Sequence, residues 1–481
     1  MQSIVKGQFV KLLFLTLLAL SLDATASAQT AADIDAVVQK AIDAKKMPAI
    51  GVAVVRDGKV VLAKGYGLAD VEAGTTANEN TAFELASVTK QFTAAGIMLL
   101  VEDGKLKLED TLGKYMPDVP AKWSGVTIRQ LLNQVSGIPN YTDGGKLVND
   151  KIYTKDEILS LVKDVPTAFD PGTKWAYSNT NYFLLGMVIE KVSGKSYPEF
   201  MAKRVFAPLG MTSTEVNTSG LKIKNAAMGY NFEDGKWQKA KLDDPSQPFA
   251  AGAIVSTPAD MGKWDIAVSE GKLLKKSSWD EILASGKLAD GKLTNYGFGW
   301  QIGKLGETGY VGHSGGIGGF TSYHVRFPAE NLGVVVLANT AARATQDLAN
   351  DIAGVYLPKL AAAIAAQKAA QEAAKNAAPI ADADPETTKF LRGVFEGLLK
   401  GEGDPAQFSV EMQKFMFPDR IKQPTPLSGQ VMKSFELMTA ESTDGSKRRQ
   451  YRATFESGMK ARVFFTVDAQ GKITGVNVRP E

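Results

Sequence analysis

The sequence predicts an α+β protein, in which strands from both ends of one large domain form a mixed sheet around a helical middle and a small α+β module follows. Two observations predict the large domain. Apolar runs separated by turn residues predict one hairpin at 50–63 and a second at 320–338, and between them apolar residues recur at helical spacing. A third observation, the change to an Ala-rich composition after residue 358, separates the small module.

Within the large domain, each element follows from a local pattern. Residues 31–46 are predicted to form an amphipathic helix, because their apolar side chains recur at helical spacing. Asp57-Gly58 lies between two apolar runs and is typical of a two-residue hairpin turn. The other predicted elements are a buried helix from about Ser87 to a stop at 103–104, helices at 127–134, 155–163, 182–192 and 345–357, and strands at 50–55, 59–63, 297–302, 308–311, 320–327 and 332–338.

The change in composition also predicts the domain boundaries. The large domain covers 32–358, an Ala-rich linker covers 359–384, and a small C-terminal α+β domain covers 385–481. The predicted elements of the small domain are a helix at 388–395 and strands at 449–454, 460–467 and 473–478.

Composition excludes several classes of function. The net charge of the 481 residues is only +3, which leaves no electrostatic footprint for nucleic acid. Cysteine is absent, which excludes disulfides, a thiol nucleophile and thiolate metal sites. The two histidines, His313 and His324, are too few for a multi-histidine zinc site. We therefore predict no cofactor and no nucleic-acid partner, while the oligomeric state stays open.

Residues 1–28 have the features of a cleavable signal peptide. Two lysines precede an apolar run at 12–20 that is too short to span a bilayer, and small residues at 26–28 form a cleavage site. A lipid anchor is excluded because a lipobox requires cysteine. No other stretch is long and apolar enough for a membrane span. The protein is therefore expected to be periplasmic or secreted.

Ser87 and Lys90 are the strongest candidates for chemistry. Residues three apart on a helix share a face, so the Lys90 amine can lie beside the Ser87 hydroxyl. The Ser-x-x-Lys pattern occurs six times, mostly in polar surroundings, but the flanks of Ser87 are apolar. A lysine in an apolar environment has to be neutral, paired or catalytic. A neutral lysine can activate a serine hydroxyl as its base.

Two further motifs lie downstream. Among the thirteen tyrosines, Tyr177 alone is followed by asparagine two residues later. Alone, this pair would be a turn in which Asn179 caps the helix predicted from residue 182. The second motif, His313-Ser314-Gly315, lies in a glycine-rich stretch before a strand, and alone it would be a turn with a structural histidine. The order of all three motifs along one domain carries more weight than any one motif does alone.

These motifs resemble those of the serine β-lactamase and penicillin-binding-protein superfamily. The resemblance covers about residues 32–357 and is greatest to class C β-lactamases, DD-peptidases and related esterases. Connecting phrases match as well, at 127–132, 136–139, 208–211 and 296–300. The resemblance implies an antiparallel sheet flanked by helices, with a mainly helical subdomain and the site between them.

The resemblance also implies a role for each catalytic residue. Ser87 would be the acylated nucleophile, Lys90 its proton acceptor, and Tyr177 the group that passes a proton to the leaving group. Which of Lys90 and Tyr177 is the first base is left open. Asn179 would orient the substrate amide. The expected function is a serine hydrolase that acts through an acyl-enzyme on amide or ester bonds of D-amino-acid peptides, β-lactams or small esters.

Substrate binding is implied for the segment from His313 to Gly316, including Ser314. The N–H groups of Ser87 and Gly316 would form an oxyanion hole. His313 stands where β-lactamases usually carry a lysine that meets the substrate carboxylate. An unperturbed histidine titrates near about 6.5, so its charged form is expected to bind carboxylates better at low pH. A histidine at this position is similar to the pattern in DD-peptidases, D-aminopeptidases and esterases of the superfamily. The expectation of β-lactam hydrolysis is therefore weaker.

Two alternatives are weighed against this interpretation. The stretch around Ser314 also fits the nucleophile elbow of α/β-hydrolases, but that elbow requires a helix directly after the serine, and a strand is predicted here. The other alternative is a slow-deacylating penicillin-binding receptor without significant turnover. The C-terminal domain lies outside the resemblance and carries no functional motif.

Overall fold

A computed structural model describes residues 30–480, except 45–46, 144, 343, 418–419, 423–424, 426 and 444. The predicted signal peptide lies outside the described residues. The chain divides into two compact units between Ala365 and Ala366, inside the predicted linker. Over the described ranges, every helix is too short or too polar to cross a membrane.

Strands from both ends of the first unit meet in one sheet. The strands are β1 (Ala49–Arg56), β2 (Lys59–Asp70), β3 (Thr75–Thr76), β4 (Phe83–Glu84), β5 (Glu215–Val216), β6 (Tyr230–Glu233), β7 (Lys236–Lys239), β8 (Ile254–Ser256), β9 (Gln301–Leu305), β10 (Thr308–Ile317), β11 (Phe320–Phe327) and β12 (Leu332–Ala338). The main sheet has seven strands in the order β3-β2-β1-β12-β11-β10-β9, and all its pairings are antiparallel. Closure by both ends is confirmed. The expectation of a mixed sheet is wrong, and the antiparallel sheet implied by the resemblance is correct.

Helices flank this sheet and fill the middle of the first unit. They are α1 (30–43), α2 (Thr89–Glu102), α3 (Leu112–Tyr115), α4 (Ala121–Ser124), α5 (Ile128–Leu132), α6 (Lys155–Ser160), α7 (Asn179–Ser193), α8 (Tyr197–Met201), α9 (Phe249–Gly252), α10 (Pro258–Ser269), α11 (Lys276–Leu283), α12 (Thr345–Tyr356) and α13 (Pro358–Asn376). Residues 202–206 continue α8 as a π-helical turn.

Alternation along β1 explains its position in the middle of the sheet. Ala49 and Ala53 face a hydrophobic core that contains α2 and α7, whereas Val52 and Val54 face a second core that contains α1 and α12. Both faces of β1 are therefore buried, which is why its sequence is a continuous apolar run. The predicted turn after β1 is present, with Asp57 and Gly58 both at positive φ.

Two predicted elements differ from the structure. The strand expected at 297–302 begins only at Gln301, because the preceding residues form a loop that packs on α2. Gly299 in this loop has φ +78, and a Cβ there would lie 2.7 Å from the Lys90 carbonyl oxygen. A glycine is needed at this position for both reasons. The glycine-rich segment 312–316 lies inside β10, not in a turn before a strand.

The second unit contains one helix-covered sheet of four antiparallel strands. Its elements are α14 (Pro385–Leu399), α15 (Val410–Met416), β13 (Met432–Thr443), β14 (Ser446–Phe455), β15 (Lys460–Val467) and β16 (Ile473–Pro480), with the strands in sequential order. Phe395 stacks on Phe435, and Phe435 stacks on Tyr451, so aromatic rings connect the helix to the sheet. The predicted α+β module is confirmed, although β13 was not predicted.

A chain ending at Ala365 is expected to fold on its own. Leu360 and Ile364 on α13 are 1% and 8% exposed and belong to the core of the first unit. Burial of such a side chain contributes about 1.5–3 kcal/mol. Thermal unfolding should therefore show that a chain ending at Leu357 melts several degrees below one ending at Ala365. Equal melting temperatures would contradict the assignment of these two residues to this core.

Candidate active site

Ser87 lies on a tight turn that leads into α2. Residues Ala86–Val88 form a 3-10 turn, and Ala86 has φ +46, a conformation that non-glycine residues rarely adopt. The turn is fixed from both sides, because the Leu85 carbonyl accepts a hydrogen bond from Ser322 Oγ and the Leu85 N–H donates to Ile254 O. Ser87 therefore precedes the helix and does not lie within it.

Lys90, in the first turn of α2, is fully buried beside Ser87. Its Nζ lies 3.1 Å from Ser87 Oγ, 2.9 Å from Asn179 Oδ1 and 2.8 Å from the Ala251 carbonyl oxygen. Burial holds the pKa of Lys90 well below its usual value. In the part of the chain that the structure describes, no carboxylate forms an ion pair with Lys90. The environment thus favours the neutral amine.

The Ala251 carbonyl is positioned by contacts between its segment and α2. Ala251 belongs to the one-turn helix α9, whose last carbonyl groups lack partners within the helix. Thr93 Oγ1 donates to the Ala250 carbonyl, and Thr89 Oγ1 accepts from the Ile254 N–H. These two hydrogen bonds hold the segment against the same helix that carries Lys90.

Tyr177 is the second side chain that contacts the Ser87 hydroxyl. The Tyr177 hydroxyl lies 2.8 Å from Ser87 Oγ, and Lys90 Nζ lies 4.8 Å from the centre of the Tyr177 ring. Burial raises the pKa of Tyr177, against the opposing effect of its hydrogen bond to Ser87. Tyr177 is therefore a neutral phenol at physiological pH.

The hydrogen bonds of this cluster are all satisfied when Lys90 and Tyr177 are both neutral. The two N–H groups of a neutral Lys90 amine donate to Asn179 Oδ1 and Ala251 O. Its lone pair is then available to the Ser87 hydroxyl, whose oxygen lies 3.1 Å from Nζ. Tyr177 then donates to Ser87 Oγ. In this arrangement the Ser87 proton already points at a base.

Asn179 is the first residue of α7 and not a cap of a later helix. The N-cap position is occupied by Ser178, and Gly194 ends the helix in a left-handed conformation. The Asn179 N–H donates to Asn140 Oδ1, in the loop after α5, at 3.0 Å. Its side-chain oxygen is thereby aimed at Lys90, and its side-chain nitrogen lies 3.3 Å from Thr142 Oγ1.

His313 is buried in β10, and both of its ring nitrogens are engaged. Nδ1 lies 2.6 Å from the Ser314 carbonyl oxygen, to which it must donate, and Nε2 then accepts from the Tyr296 hydroxyl at 3.0 Å. Burial lowers the pKa of His313 to about 3, against the raising effect of its hydrogen bond to the Ser314 carbonyl, and Lys90 adds to the lowering only when its amine is protonated. His313 is therefore neutral at physiological pH. The expected titration near about 6.5 is displaced, because the sequence pattern does not reveal the burial of the ring.

Gly315 allows β10 to approach the Ser87 turn closely, and the neighbouring Gly316 does not have this role. A Cβ at Gly315 would collide with the Leu85 carbonyl oxygen and with Ser322 Oγ, whereas a Cβ at Gly316 would meet nothing. Gly315 is thus required for the close approach of the strand to the turn. Ser314 is exposed on the other face of β10.

A cavity of about 260 Å³ opens over Ser87. Its lining comprises Ala86, Ser87, Tyr141, Thr142, Leu147, Asn179, Asp243, Gln247, Pro248, Ala251, Gly252, Gly316 and Ile317. Ser87, Asn179 and Gly316 were predicted as site residues. His313 and Ser314 are not part of this lining, although the His313 ring lies 6.0 Å from that of Tyr177.

Three groups of the candidate site were missed by sequence reasoning. They are the Ala251 carbonyl, the Tyr296 hydroxyl and the Asp243 carboxylate. A backbone carbonyl leaves no signal in a sequence. Tyr296 was part of a matching phrase, which was a signal that could have been used. Asp243 lies in a loop-rich stretch where any acidic residue is expected on the surface.

Comparison with known proteins identifies the family. Residues 34–356 match the family model described as Beta-lactamase, which is more than half of the chain. The chain belongs to the Beta-lactamase family. Such membership supports a hydrolase in general.

Individual members of the family are similar to this chain to different extents. Penicillin-binding protein 4* of Bacillus subtilis is 32% identical over 300 residues, which is 59% of this chain and 66% of that protein. The chain thus spans just under two thirds of this curated relative. D-amino acid amidase from Ochrobactrum anthropi aligns with a TM-score of 0.61 and 28% identity over 71% of this chain and 99% of that one. An octameric penicillin-binding protein homologue from Pyrococcus abyssi aligns with a TM-score of 0.62 and 23% identity over 94% and 98%, which shows the shared fold.

The nucleophile elbow at Ser314 does not fit the structure. Ser314 lies in the middle of β10 and is followed by a tight turn and β11, not by a helix. His324 is fully buried in β11, where its ring nitrogens contact Gln91 Oε1 and Asp265 Oδ1. Neither residue has the arrangement that the elbow requires. Among the described residues, no three His, Asp or Glu side chains are grouped so as to hold a metal ion.

Proposed function

We propose that this protein is a serine hydrolase that forms an acyl-enzyme on Ser87 with amide or ester substrates. The observation that carries the proposal is the position of Ser87 Oγ, which lies between Lys90 Nζ at 3.1 Å and the Tyr177 hydroxyl at 2.8 Å in the wall of a cavity. A serine hydroxyl becomes a nucleophile when an adjacent base accepts its proton, and a desolvated lysine is such a base.

The proposed reaction has two halves. Lys90 accepts the Ser87 proton while Ser87 Oγ attacks the substrate carbonyl, and the N–H groups of Ser87 and Gly316 stabilise the oxyanion. The bond to the leaving group then breaks, and the leaving amine or alcohol takes a proton through Tyr177, which Lys90 replenishes. In the second half a water molecule attacks the acyl carbonyl, and one of its protons passes by way of Tyr177 to Lys90. The bond between the acyl group and Ser87 Oγ then breaks, Lys90 returns the proton to Oγ, and the acid product leaves.

The favoured substrates have no free carboxylate that would need a cationic partner in the site. His313 is neutral, and among the described residues that line the cavity there is no lysine or arginine. β-Lactams and D-amino-acid peptides with a free carboxylate would have no counter-ion there. The similarity to D-amino acid amidase, whose name describes an enzyme acting on amides, supports amides as well as esters. The signal peptide predicted for residues 1–28 would place this activity in the periplasm or outside the cell.

A side-by-side assay tests this function. We expect hydrolysis of a p-nitrophenyl ester and of a D-amino-acid amide, with lower kcat/KM for a D-Ala-D-Ala peptide and for a cephalosporin. If the protein instead forms a lasting adduct with penicillin and turns over none of the four, the receptor alternative replaces the proposal. An absence of both adduct and turnover would reject both.

His313 is expected to give no pH-dependent preference for carboxylates. Because its pKa is lowered to about 3, it stays neutral as the pH rises through its ordinary value. The ratio of kcat/KM for a D-Ala-D-Ala peptide to that for a neutral ester should therefore stay constant between about pH 5 and pH 8. His313→Lys should raise this ratio. A wild-type ratio that falls as the pH rises through about 6.5, and that no longer falls in His313→Lys, would show that a charged His313 binds the carboxylate.

A further inference from the structure

Asp243 is a charged group in the wall of the candidate substrate cavity. It lines the cavity together with Ser87. Apart from Tyr141, Asp243 is the one described lining residue that has an ionisable side chain. Neither a lysine nor an arginine of the described chain forms an ion pair with Asp243. Its Oδ2 is contacted by the Gly318 N–H at 3.4 Å, a long hydrogen bond that leaves the carboxylate largely unneutralised.

Asp243 is the main source of negative charge at this wall. Burial raises the pKa of Glu84 to about 7, and the Asp243 charge contributes to the rise against a hydrogen bond from Asn217, so Glu84 carries less than a full charge near neutral pH. The rest of the cavity wall is uncharged, and Leu147, Pro248 and Ile317 give it an apolar surface. A half-buried carboxylate next to apolar side chains interacts more strongly with a cation than an exposed one does, because solvent screens it less.

We infer that Asp243 selects acyl donors that carry a free ammonium group, such as the amides or esters of apolar amino acids. The inference rests on the proposed function, since the acyl group must reach Ser87 through the same cavity. An α-ammonium group would meet the Asp243 carboxylate while the apolar side chain contacts Leu147 and Ile317. Asp243 is thus a specificity-determining residue and takes no part in bond breaking.

Matched substrates test this selection. D- and L-phenylalanine p-nitroanilide carry an ammonium group at about pH 7, and 3-phenylpropanoyl p-nitroanilide differs from them only by lacking it. In the wild type, kcat/KM for the better enantiomer should exceed that for the uncharged analogue by about tenfold or more, as for a charge-assisted hydrogen bond. Asp243→Asn should remove most of this ratio, because kcat/KM falls much further for the ammonium-bearing substrate than for the uncharged analogue. Asp243→Glu should keep part of it.

Asp244→Asn is the matched control. Asp244 is the neighbour of Asp243, but its carboxylate accepts from Ser219 Oγ at 2.7 Å and from the Ser246 N–H at 2.9 Å, and it does not line the cavity. The ratio of kcat/KM for the charged substrate to that for the uncharged analogue should be the same in Asp244→Asn as in the wild type. An unchanged ratio in Asp243→Asn, or an equal loss with all substrates, would overturn the selection while hydrolysis by Ser87 stands. If the wild type hydrolyses none of these substrates and no p-nitrophenyl ester, the selection falls with the proposed function.

Discussion

Ser87→Ala is expected to lower kcat for ester and amide hydrolysis by about 10⁴-fold or more, because loss of the nucleophile removes the acyl-enzyme pathway. The fold should be unaffected. Ser87 is only partly buried, and its hydroxyl contacts the side chains of Lys90 and Tyr177, not the backbone that forms the turn. Steady-state kinetics on a p-nitrophenyl ester, together with thermal unfolding, measure the two effects.

Ser314→Ala is the control for this substitution. Ser314 is exposed on β10, and its side chain belongs to the motif that also resembles a nucleophile elbow. Its loss should change kcat by less than about tenfold, because Ser314 is not part of the lining of the cavity over Ser87. If Ser314→Ala were the inactive variant and Ser87→Ala kept its activity, the assignment of the nucleophile would be wrong.

Lys90→Met and Lys90→Arg are both expected to slow acylation by about 10³-fold, within the range for loss of a general base. Methionine removes the base, and arginine replaces it by a permanent cation. In the wild type the acylation rate should rise with pH through a pKa well below the ordinary lysine value, because burial lowers the pKa of Lys90 and the neutral form is the active one. Stopped-flow measurement of the acylation burst as a function of pH gives both quantities.

Tyr177→Phe distinguishes the two candidate bases. Burial raises the pKa of Tyr177, so it holds its proton and is expected to act as a relay. This variant should keep more of the acylation rate than either Lys90 variant and lose more of the deacylation rate. If Lys90→Met acylated within about tenfold of the wild type and Tyr177→Phe did not acylate, tyrosine would be the first base.

Lys90→Met should also melt no lower than the wild type, because a buried amine is costly to desolvate.

The sequence predicted those parts of the site that depend on local geometry. The spacing of Ser87 and Lys90 determines that their side chains lie about one turn apart, and the structure has their polar atoms at 3.1 Å. The two predicted hairpins lie at opposite ends of the domain, and from them we predicted that both ends form one sheet. Asn179, by contrast, was ambiguous, because a cap and a site residue have the same sequence pattern.

Other features depend on tertiary contacts that no local pattern reveals. His313 is neutral because the sheet buries it against Tyr296, a residue far from it in the loop before β9. Strand β13 was not predicted because it contains Glu, Lys and Met, which favour helices, and its pairing with β14 overrides that preference. The lining of the cavity by Asp243 likewise follows from the folding of a long loop over the site.

Peptide mapping of the trapped acyl group tests the central claim most directly. The protein is mixed with an activated ester, quenched with acid within the first turnover, digested with trypsin and analysed by mass spectrometry. Ser87 lies in the tryptic peptide 65–90, and Ser314 lies in the separate peptide 305–326. We predict a single acyl group on the peptide 65–90, at Ser87, that disappears when the quench is delayed. An acyl group on 305–326, or turnover of the ester without any acylated peptide, would contradict the account.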